Sequence, residues 1–505
     1  MKKQYDVIVV GAGNGGLSAA ANTAKAGCKT LLLEKHNIPG GCATSFRRGR
    51  FEFEPSLHEL CSVGTKERPN SVYKVFDSLG AKIDWQYEHN IFRTINKGKN
   101  GYDVTLQAGI EEFCQSIDDQ VPGCKENVRA FLNLKPKITA AIDYIYETKG
   151  NPNGLVMLLK HADFMRVAGH TVEEVMTALG IPERAQNLIN TYWGYLGVPT
   201  DELNAMHFLN MLYDYVVDGA AMPHHRSHEL SLALVDVIKK NGGEVWYNSE
   251  VTKFLYNDEG RVIGVVANGE ELYAKEVISN VIAHNVFNMS DFDKLPERNV
   301  KLANARDFGI SVATIYLGLD CTAEELGMKD YTVFIVGDEN PRTQYNTRLE
   351  DGLYIVNCLN NVVPDSSPEG TCTMFFTMPI FGQDVPKDLT PQGYKKYKNE
   401  LAKKYIEDAE KVLGISITPH IEEISVATPV TFAHYLGTPE GTIYGYKLSG
   451  WDGLMARTAA EKQDHSVPGL SFCGGHYIRG DGYSCAYLMG EMIGQRVAKR
   501  IKEGN

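Results

Sequence analysis

No stretch of this chain holds the roughly 18 consecutive apolar residues of a membrane-spanning helix, so it is read as having no transmembrane segment. Lys2, Lys3 and the apolar run after them imitate a signal peptide, but Asp6 and the following glycines interrupt it. The ten cysteines contain no C-x-x-C pair and no small-domain disulfide framework. They are read as free thiols of a reducing compartment, which makes the expected location cytoplasmic. Basic residues are in deficit, with 51 Lys and Arg against 63 Asp and Glu and a net charge of −12. That balance argues against a nucleic-acid partner and against electrostatic docking on anionic lipid. Peripheral membrane contact stays open. Low-complexity tracts, short repeats and Ser-His-Asp or Cys-His constellations are lacking, and nothing indicates an oligomeric state.

What is there begins at the N-terminus. With 505 residues, 43% of them hydrophobic, the chain exceeds one compact domain, and two are expected. Tyr5 to Val10 is a short apolar run. It leads into Gly11-Ala12-Gly13-Asn14-Gly15-Gly16, a G-x-G-x-x-G pattern, and then an Ala-rich helical stretch. Lys29 to Leu33 reads as a second buried strand, followed by Glu34, 18 residues after Gly16. The order strand, glycine turn, helix, strand, acid is the dinucleotide-binding fingerprint. Gly13 lets a pyrophosphate approach the backbone, Gly16 lets helix and sheet pack closely, and Glu34 can accept a ribose hydroxyl. Free N–H groups at the helix start attract phosphate.

A second glycine turn follows at once, in Lys35-His36-Asn37-Ile38-Pro39-Gly40-Gly41-Cys42-Ala43-Thr44. It lets the backbone pass close to a ligand that continues beyond the pyrophosphate, as burial of an extended FAD requires. Near the C-terminus, Leu470 to Cys473 reads as a strand entering the turn Gly474-Gly475. Gly480-Asp481-Gly482-Tyr483 then opens a helix over 484–501.

Gly11 to Arg47 resembles the flavin-binding start of the phytoene desaturase, carotenoid isomerase and retinol saturase family, within the amine-oxidase-like flavoproteins. Phe51-Glu52-Phe53-Glu54-Pro55-Ser56-Leu57-His58 stands where that family has an F-x-F-D-x-G-x-H-like segment, with Glu54 for Asp and Ser56 for Gly. The resemblance covers nearly the whole length, specifically at both ends and loosely between. It implies an α/β fold. A discontinuous Rossmann-type FAD-binding domain (1–65, 225–300 and 455–505) would carry a mixed-sheet plus helical substrate domain (66–224 and 301–454). It further implies that Gly11, Ala12, Gly13, Asn14, Gly15, Gly16, Glu34, Lys35, Gly40, Gly41, Cys42, Ala43 and Thr44 bind FAD from the N-terminal side. The backbone of Val251 would cover the adenine. Gly474, Gly475, Asp481, Gly482 and Tyr483 would meet the flavin half, with Asp481 supplying an acid that the Gly474-Gly475 turn lacks.

Residues 65–222 show mixed helical patterns, with amphipathic segments at 110–117, 128–134, 154–168 and 171–179. In Met222-Pro223-His224-His225-Arg226-Ser227-His228, His224 and His228 would share a helix face as metal ligands do. No third ligand is obvious, and no metal is expected. The resembled family has a Pro-x-Gly-Gly-Ser turn here, which faces flavin and substrate. Arg226, replacing a glycine, is taken as a group able to hold a substrate carboxylate by bidentate pairing, with a structural role as the alternative. A helix over 229–240, a strand over 244–248 and a meander at 251–255, 261–267 and 271–274 follow, and 275–280 returns to the sheet. Strands at 311–317, 331–336, 353–357 and 372–378 are expected to floor a cavity.

Reactions of the resembled family act on C=C bonds by saturation, desaturation or isomerisation. The resemblance therefore implies an FAD-dependent oxidoreductase with a small apolar, conjugated or isoprenoid-like substrate carrying a polar end. Saturation needs an acid beside the second carbon. His58 is the first candidate, with Tyr435 and His434 behind it. NAD(P)H is an open choice of external electron donor, because no second dinucleotide fingerprint stands out. An amine-oxidase-like enzyme that oxidises a C–N bond and a flavin-stabilised binding protein are the alternatives.

Overall fold

The computed structural model describes residues 4–88, 90–99, 101–148, 151–448, 450–453, 456–457, 467–478, 480 and 482–504. One sheet is organised around Gln4–Val10, which runs parallel to Thr30–Leu33 on one side and to Glu270–Ser279 on the other. Glu244–Trp246 and Leu470–Phe472 extend it, again in parallel. Parallel neighbours require crossovers that cover both faces, and Val7, Ile8 and Val9 are accordingly sealed from solvent. The helices Asn14–Lys25, Arg226–Lys240 and Tyr483–Glu503 pack over one face through an Ala-, Leu- and Val-rich cluster. Glu270–Ser279 is one strand where the sequence reads as two. Its first residues pair antiparallel with Val262–Ala267, and its remainder runs beside Gln4–Val10.

The second sheet has the order Ile421–Ala427, Val312–Leu319, Cys372–Pro379, Leu353–Cys358, Thr332–Val336, Asn90–Asn96, Tyr102–Gln107. Its four central strands are buried along their whole length. One face packs on the helix Pro391–Leu413. The other meets Phe51 and Phe53 through Tyr316 and Phe375, and the helical layer through Phe334 and Ile355.

The block at 65–222 is not all helix. Asn90–Asn96 and Tyr102–Gln107 form a hairpin that joins the second sheet alongside Thr332–Val336. Trp85–Glu88 pairs with Ala220–Pro223 in a separate ribbon. Short strands whose partner lies more than a hundred residues away leave only a weak local signal. The segment 154–168 is two helices, Gly154–Lys160 and Ala162–Val167, broken at His161.

Candidate active site

A cavity of about 1380 Å³ opens where the carboxyl ends of the parallel strands meet the second sheet. That exceeds the roughly 300–1,000 Å³ of a pocket for one drug-sized ligand. Gly11, Gly13, Asn14, Gly15, Glu34, Lys35, Gly40, Gly41 and Cys42 line it from the N-terminal segment. Val251 and Asn280 line it from the middle of the chain, and Gly475, Gly482 and Tyr483 from the C-terminal segment.

Two helices start at this cavity, Asn14–Lys25 behind Gly13 and Tyr483–Glu503 behind Gly482. Neither first turn contains an acid, and no side chain caps either helix. Their leading N–H groups and positive dipole ends are therefore available to an anion. Space for it depends on Gly13, where a Cβ would lie 2.6 Å from Asn280 Nδ2.

Glu34 is held by two backbone donors. Ala12 N–H donates to Oε2 at 2.7 Å and His36 N–H to Oε1 at 2.8 Å. Each oxygen keeps acceptor capacity, and the residue remains on the cavity wall. A carboxylate fixed in this way beside two uncapped helix ends fits a dinucleotide's ribose and pyrophosphate. His224, which the sequence pairs with His228, is engaged with Asp84 and Asp365 at 2.8 Å each.

The C-terminal helix is tied to the second glycine turn at its first residue. Tyr483 OH donates to the Cys42 carbonyl at 2.8 Å, and Ser56 Oγ contacts both of them at 3.0 Å. Burial pushes the Cys42 and Cys61 thiols up to about 11, so neither offers a thiolate near neutrality. Glu54 is sealed below and anchors the turn. Its carboxyl accepts from the amides of Ser56, Leu57 and Ser227 and from Ser227 Oγ.

His58 lines the cavity with its ring stacked between Tyr195 and Phe375, at centroid distances of 5.4 and 5.5 Å. Its Nε2 lies 2.9 Å from Thr377 Oγ1. Burial pushes the imidazole down to about 3. It meets the chamber as a neutral ring, not as a charged acid. Tyr435 also lines the cavity and stands edge-on to His36 at 5.3 Å. His434 does not line it.

The sequence matches a family model described as an NAD(P)-binding Rossmann-like domain over residues 9–79. Among characterised relatives, all-trans-retinol 13,14-reductase of Danio rerio is 25% identical over 88% of this chain and 78% of its own length. Prolycopene isomerase 2 of an Oncidium hybrid cultivar, a chloroplastic protein, is 24% identical over 98% of this chain and 84% of its own length. A redesigned putrescine oxidase of known structure superposes with a TM-score of 0.65 and 16% identity, over 99% of this chain and all of its own. That last likeness concerns the fold.

Over most of its length the chain is thus similar to a retinol reductase and a prolycopene isomerase, in line with the resemblance to the phytoene desaturase, carotenoid isomerase and retinol saturase family.

Within that family's pattern several expected contacts fall elsewhere. Ala12 and Gly16 lie beneath the turn, where a Cβ on Gly16 would come within 1.9 Å of the Gly11 carbonyl oxygen. Gly16 therefore serves packing. Ala43 is sealed, with its carbonyl taken by Ser231 Oγ at 2.7 Å, and Thr44 Oγ1 is buried without a partner. Gly474 abuts Asn280, where a Cβ would lie 2.4 Å from Oδ1. Asp481 lies outside the described residues.

Arg226 departs furthest from its expected role. It adopts φ +63°, the left-handed region natural to the family's glycine. Its guanidinium pairs with Glu52 at 2.9 Å and donates to the Ser366 carbonyl at 3.0 Å. It does not line the cavity, because Glu52 and the Ser366 loop have captured it. Among the wall residues, Asn280 and Glu59 were not singled out in the sequence. Asn280 directly follows a parallel strand, at the carboxyl end where such sheets bind ligands, and that position was its available signal.

Proposed function

We propose that this protein is an FAD-dependent oxidoreductase acting on the C=C bonds of an apolar, isoprenoid-like substrate. One observation carries the reading. Two uncapped helix N-termini and the doubly held Glu34 meet on a cavity whose remaining wall carries an apolar stretch of the helical layer among polar residues. The first part suits an extended dinucleotide held through Gly13, Asn14, Glu34, Gly40, Gly41, Gly475 and Gly482. Ile138, Ile142, Phe164, Met206 and Met211 supply the second. The reading divides the chain into the flavin-binding segments 1–65, 225–300 and 455–505 and a substrate domain between them.

Bound FAD supplies two-electron hydride chemistry at such a site. The chain's own residues hold and orient. Glu34 would hold the nucleotide end and the two helix starts would receive the pyrophosphate, while Tyr483 clasps the Cys42 turn. His58 and Tyr195, two members of a ring stack closed by Phe375, give the chamber an aromatic side beside which a polyene can lie. The electrons for reduction come from outside, with NAD(P)H as the donor to test.

An apolar substrate needs a route that avoids water. Leu155, Leu158, Leu159 and Met165 project from the helices Gly154–Lys160 and Ala162–Val167, next to the cavity-lining Phe164, and Leu159 is 72% exposed. This exposed apolar face is read as the point of contact with a lipid phase. No described helix is long and apolar enough to cross a membrane.

The deciding experiment is anaerobic flavin spectroscopy of the purified holoprotein against polyenes, enoates and amines. Reoxidation of the reduced flavin by a polyene, or its reduction by a saturated analogue, is the expected result. Bleaching by amines alone would replace this reading with the amine-oxidase alternative. A colourless protein that FAD cannot reconstitute would remove it altogether.

A further inference from the structure

Glu59 follows His58 and reaches the chamber wall, yet the site described so far gives it no task. Its side chain is almost sealed, and it lines the cavity beside Tyr195. Tyr195 OH donates to Oε1 at 3.0 Å, and Thr332 Oγ1 donates to Oε2 at 2.9 Å. Thr332 is itself fixed by Asn357 Nδ2 at 2.7 Å. The remaining partner is a second acid. Glu88, at the end of Trp85–Glu88, is hydrogen-bonded to Glu59 through its carboxyl, and its own Oε2 is buried without another partner.

Two carboxyl groups in hydrogen-bond contact in a buried site cannot both be ionised, so the pair retains a proton. The groups that face it reinforce this. Tyr192 and Tyr195 approach from one helical turn, Tyr215 from Ala205–Asp218, and Tyr331 from the start of Thr332–Val336. Cys61 and Asp330 complete the surroundings. All are neutral or acidic, and among the described residues no ion pair to Lys, Arg or His neutralises either carboxyl. Burial pushes both acids up from the ordinary carboxylate range. An apolar pair would fill this space at lower energetic cost, and Glu59 reaches the chamber wall.

We propose that Glu59, hydrogen-bonded to Glu88, Tyr195 and Thr332, is the proton donor of this site. The inference rests on the C=C reading above and deepens it. FAD bound here and reduced by an external two-electron donor would supply the hydride that forms the C–H bond at one alkene carbon. The alkene's π electrons take the Glu59 proton at the neighbouring carbon, and the Glu59 O–H bond breaks. The carboxylate left behind is held by the Tyr195 and Thr332 hydroxyls and by the Glu88 carboxyl. Glu88 is the positioning residue. It keeps a proton next to Glu59. Run backwards, the same carboxylate accepts the proton released in desaturation.

The test compares wild type, Glu59→Gln, Glu88→Gln and Tyr195→Phe as FAD-loaded proteins. Infrared difference titration reads the carboxyl pair without turnover. The expected result is a protonated-carboxyl band in wild type that persists through neutral pH and is altered in both Gln variants. A wild-type pair already fully ionised at pH 7 overturns the proposal, and this measurement needs no variant to fold. In anaerobic mixing with a polyene in D₂O, wild type should place one solvent deuteron on the carbon adjacent to the hydride-receiving one. Glu59→Gln should bind FAD normally and lose reoxidation by the substrate about 10²–10⁴-fold. Glu88→Gln should lower turnover less than Glu59→Gln does and shift its pH profile; an unchanged pH profile overturns the positioning role. Wild-type reoxidation rates in Glu59→Gln overturn this proposal alone. A wild type inert towards every alkene overturns the C=C reading and takes this inference with it.

Discussion

Ser18 Oγ in the first helix donates to the carbonyl oxygen of Tyr487 in the last, at 2.8 Å. The two helices cross at glycines. A Cβ on Gly490 would lie 2.2 Å from the Gly15 carbonyl oxygen, and one on Gly494 would lie 2.7 Å from that of Ala19. Gly490→Val should therefore force the helices apart, at a cost of about 1–3 kcal/mol for over-packing. Lower thermal stability together with reduced flavin retention is the expected outcome. An unchanged melting temperature would contradict the close crossing.

Glu34→Ala should weaken FAD binding by about tenfold or more, since a hydrogen bond to a charged group contributes about 1.5–3 kcal/mol. Glu34→Gln, which keeps one oxygen acceptor, should lose less. Titration of apoprotein with FAD by fluorescence quenching checks both values. Gly13→Glu should retain no flavin, because its side chain would enter the space that Gly13 leaves beside Asn280.

Arg226 separates two kinds of effect. Its guanidinium is committed to Glu52 and the Ser366 carbonyl, so Arg226→Ala should lower stability while leaving substrate KM in place. Arg226→Gly should be the milder change by about 1 kcal/mol, because glycine adopts φ +63° without a Cβ penalty. Denaturant midpoints for the two variants give the comparison. A raised KM in either would restore a substrate contact.

His58 sets an acid limit. Its folded-state pKa lies near 3 against an ordinary value of 6.5, so below about pH 6.5 the unfolded chain binds the proton that the folded chain refuses. Stability should fall as pH drops through that window, with a slope of at most about 1.4 kcal/mol per pH unit from this group. His58→Phe should flatten the acid limb of a stability profile. The carboxyl pair has the opposite sign. Its folded-state pKa values are raised, so the stability it contributes is present at low pH and is lost as pH rises above the ordinary carboxylate range.

Leu155→Ser/Leu158→Ser/Leu159→Ser should release the protein from neutral-lipid vesicles in a flotation assay without altering FAD content. The three residues are at least 63% exposed and cover no core. Equal flotation of variant and wild type would leave that face without a lipid role.

Legibility in the sequence followed the range of the interactions involved. Gly11 to Glu34 was readable because strand, turn, helix and acid lie within one local unit. The last helix announced itself through Gly480 and Gly482. Asn90–Asn96 was missed because its partner, Thr332–Val336, is remote in sequence and its own short run reads either way. Arg226 looked substrate-facing because the turn at this place in the resembled family faces flavin and substrate. Only coordinates place Glu52 against it. Glu59 was invisible for a similar reason, since its significance depends on Glu88, Tyr195 and Thr332, which reach it from three other parts of the fold.

The sheet around Gln4–Val10 is completed by Leu470–Phe472 on the far side of Glu270–Ser279, and its covering layer by Tyr483–Glu503. During synthesis the first strand must therefore wait for the last before its surroundings are whole. Until Tyr483–Glu503 has left the ribosome, the nascent polypeptide carries an open nucleotide cradle and a bare apolar helix face. Coenzyme capture and completion of the fold thus become a single late event.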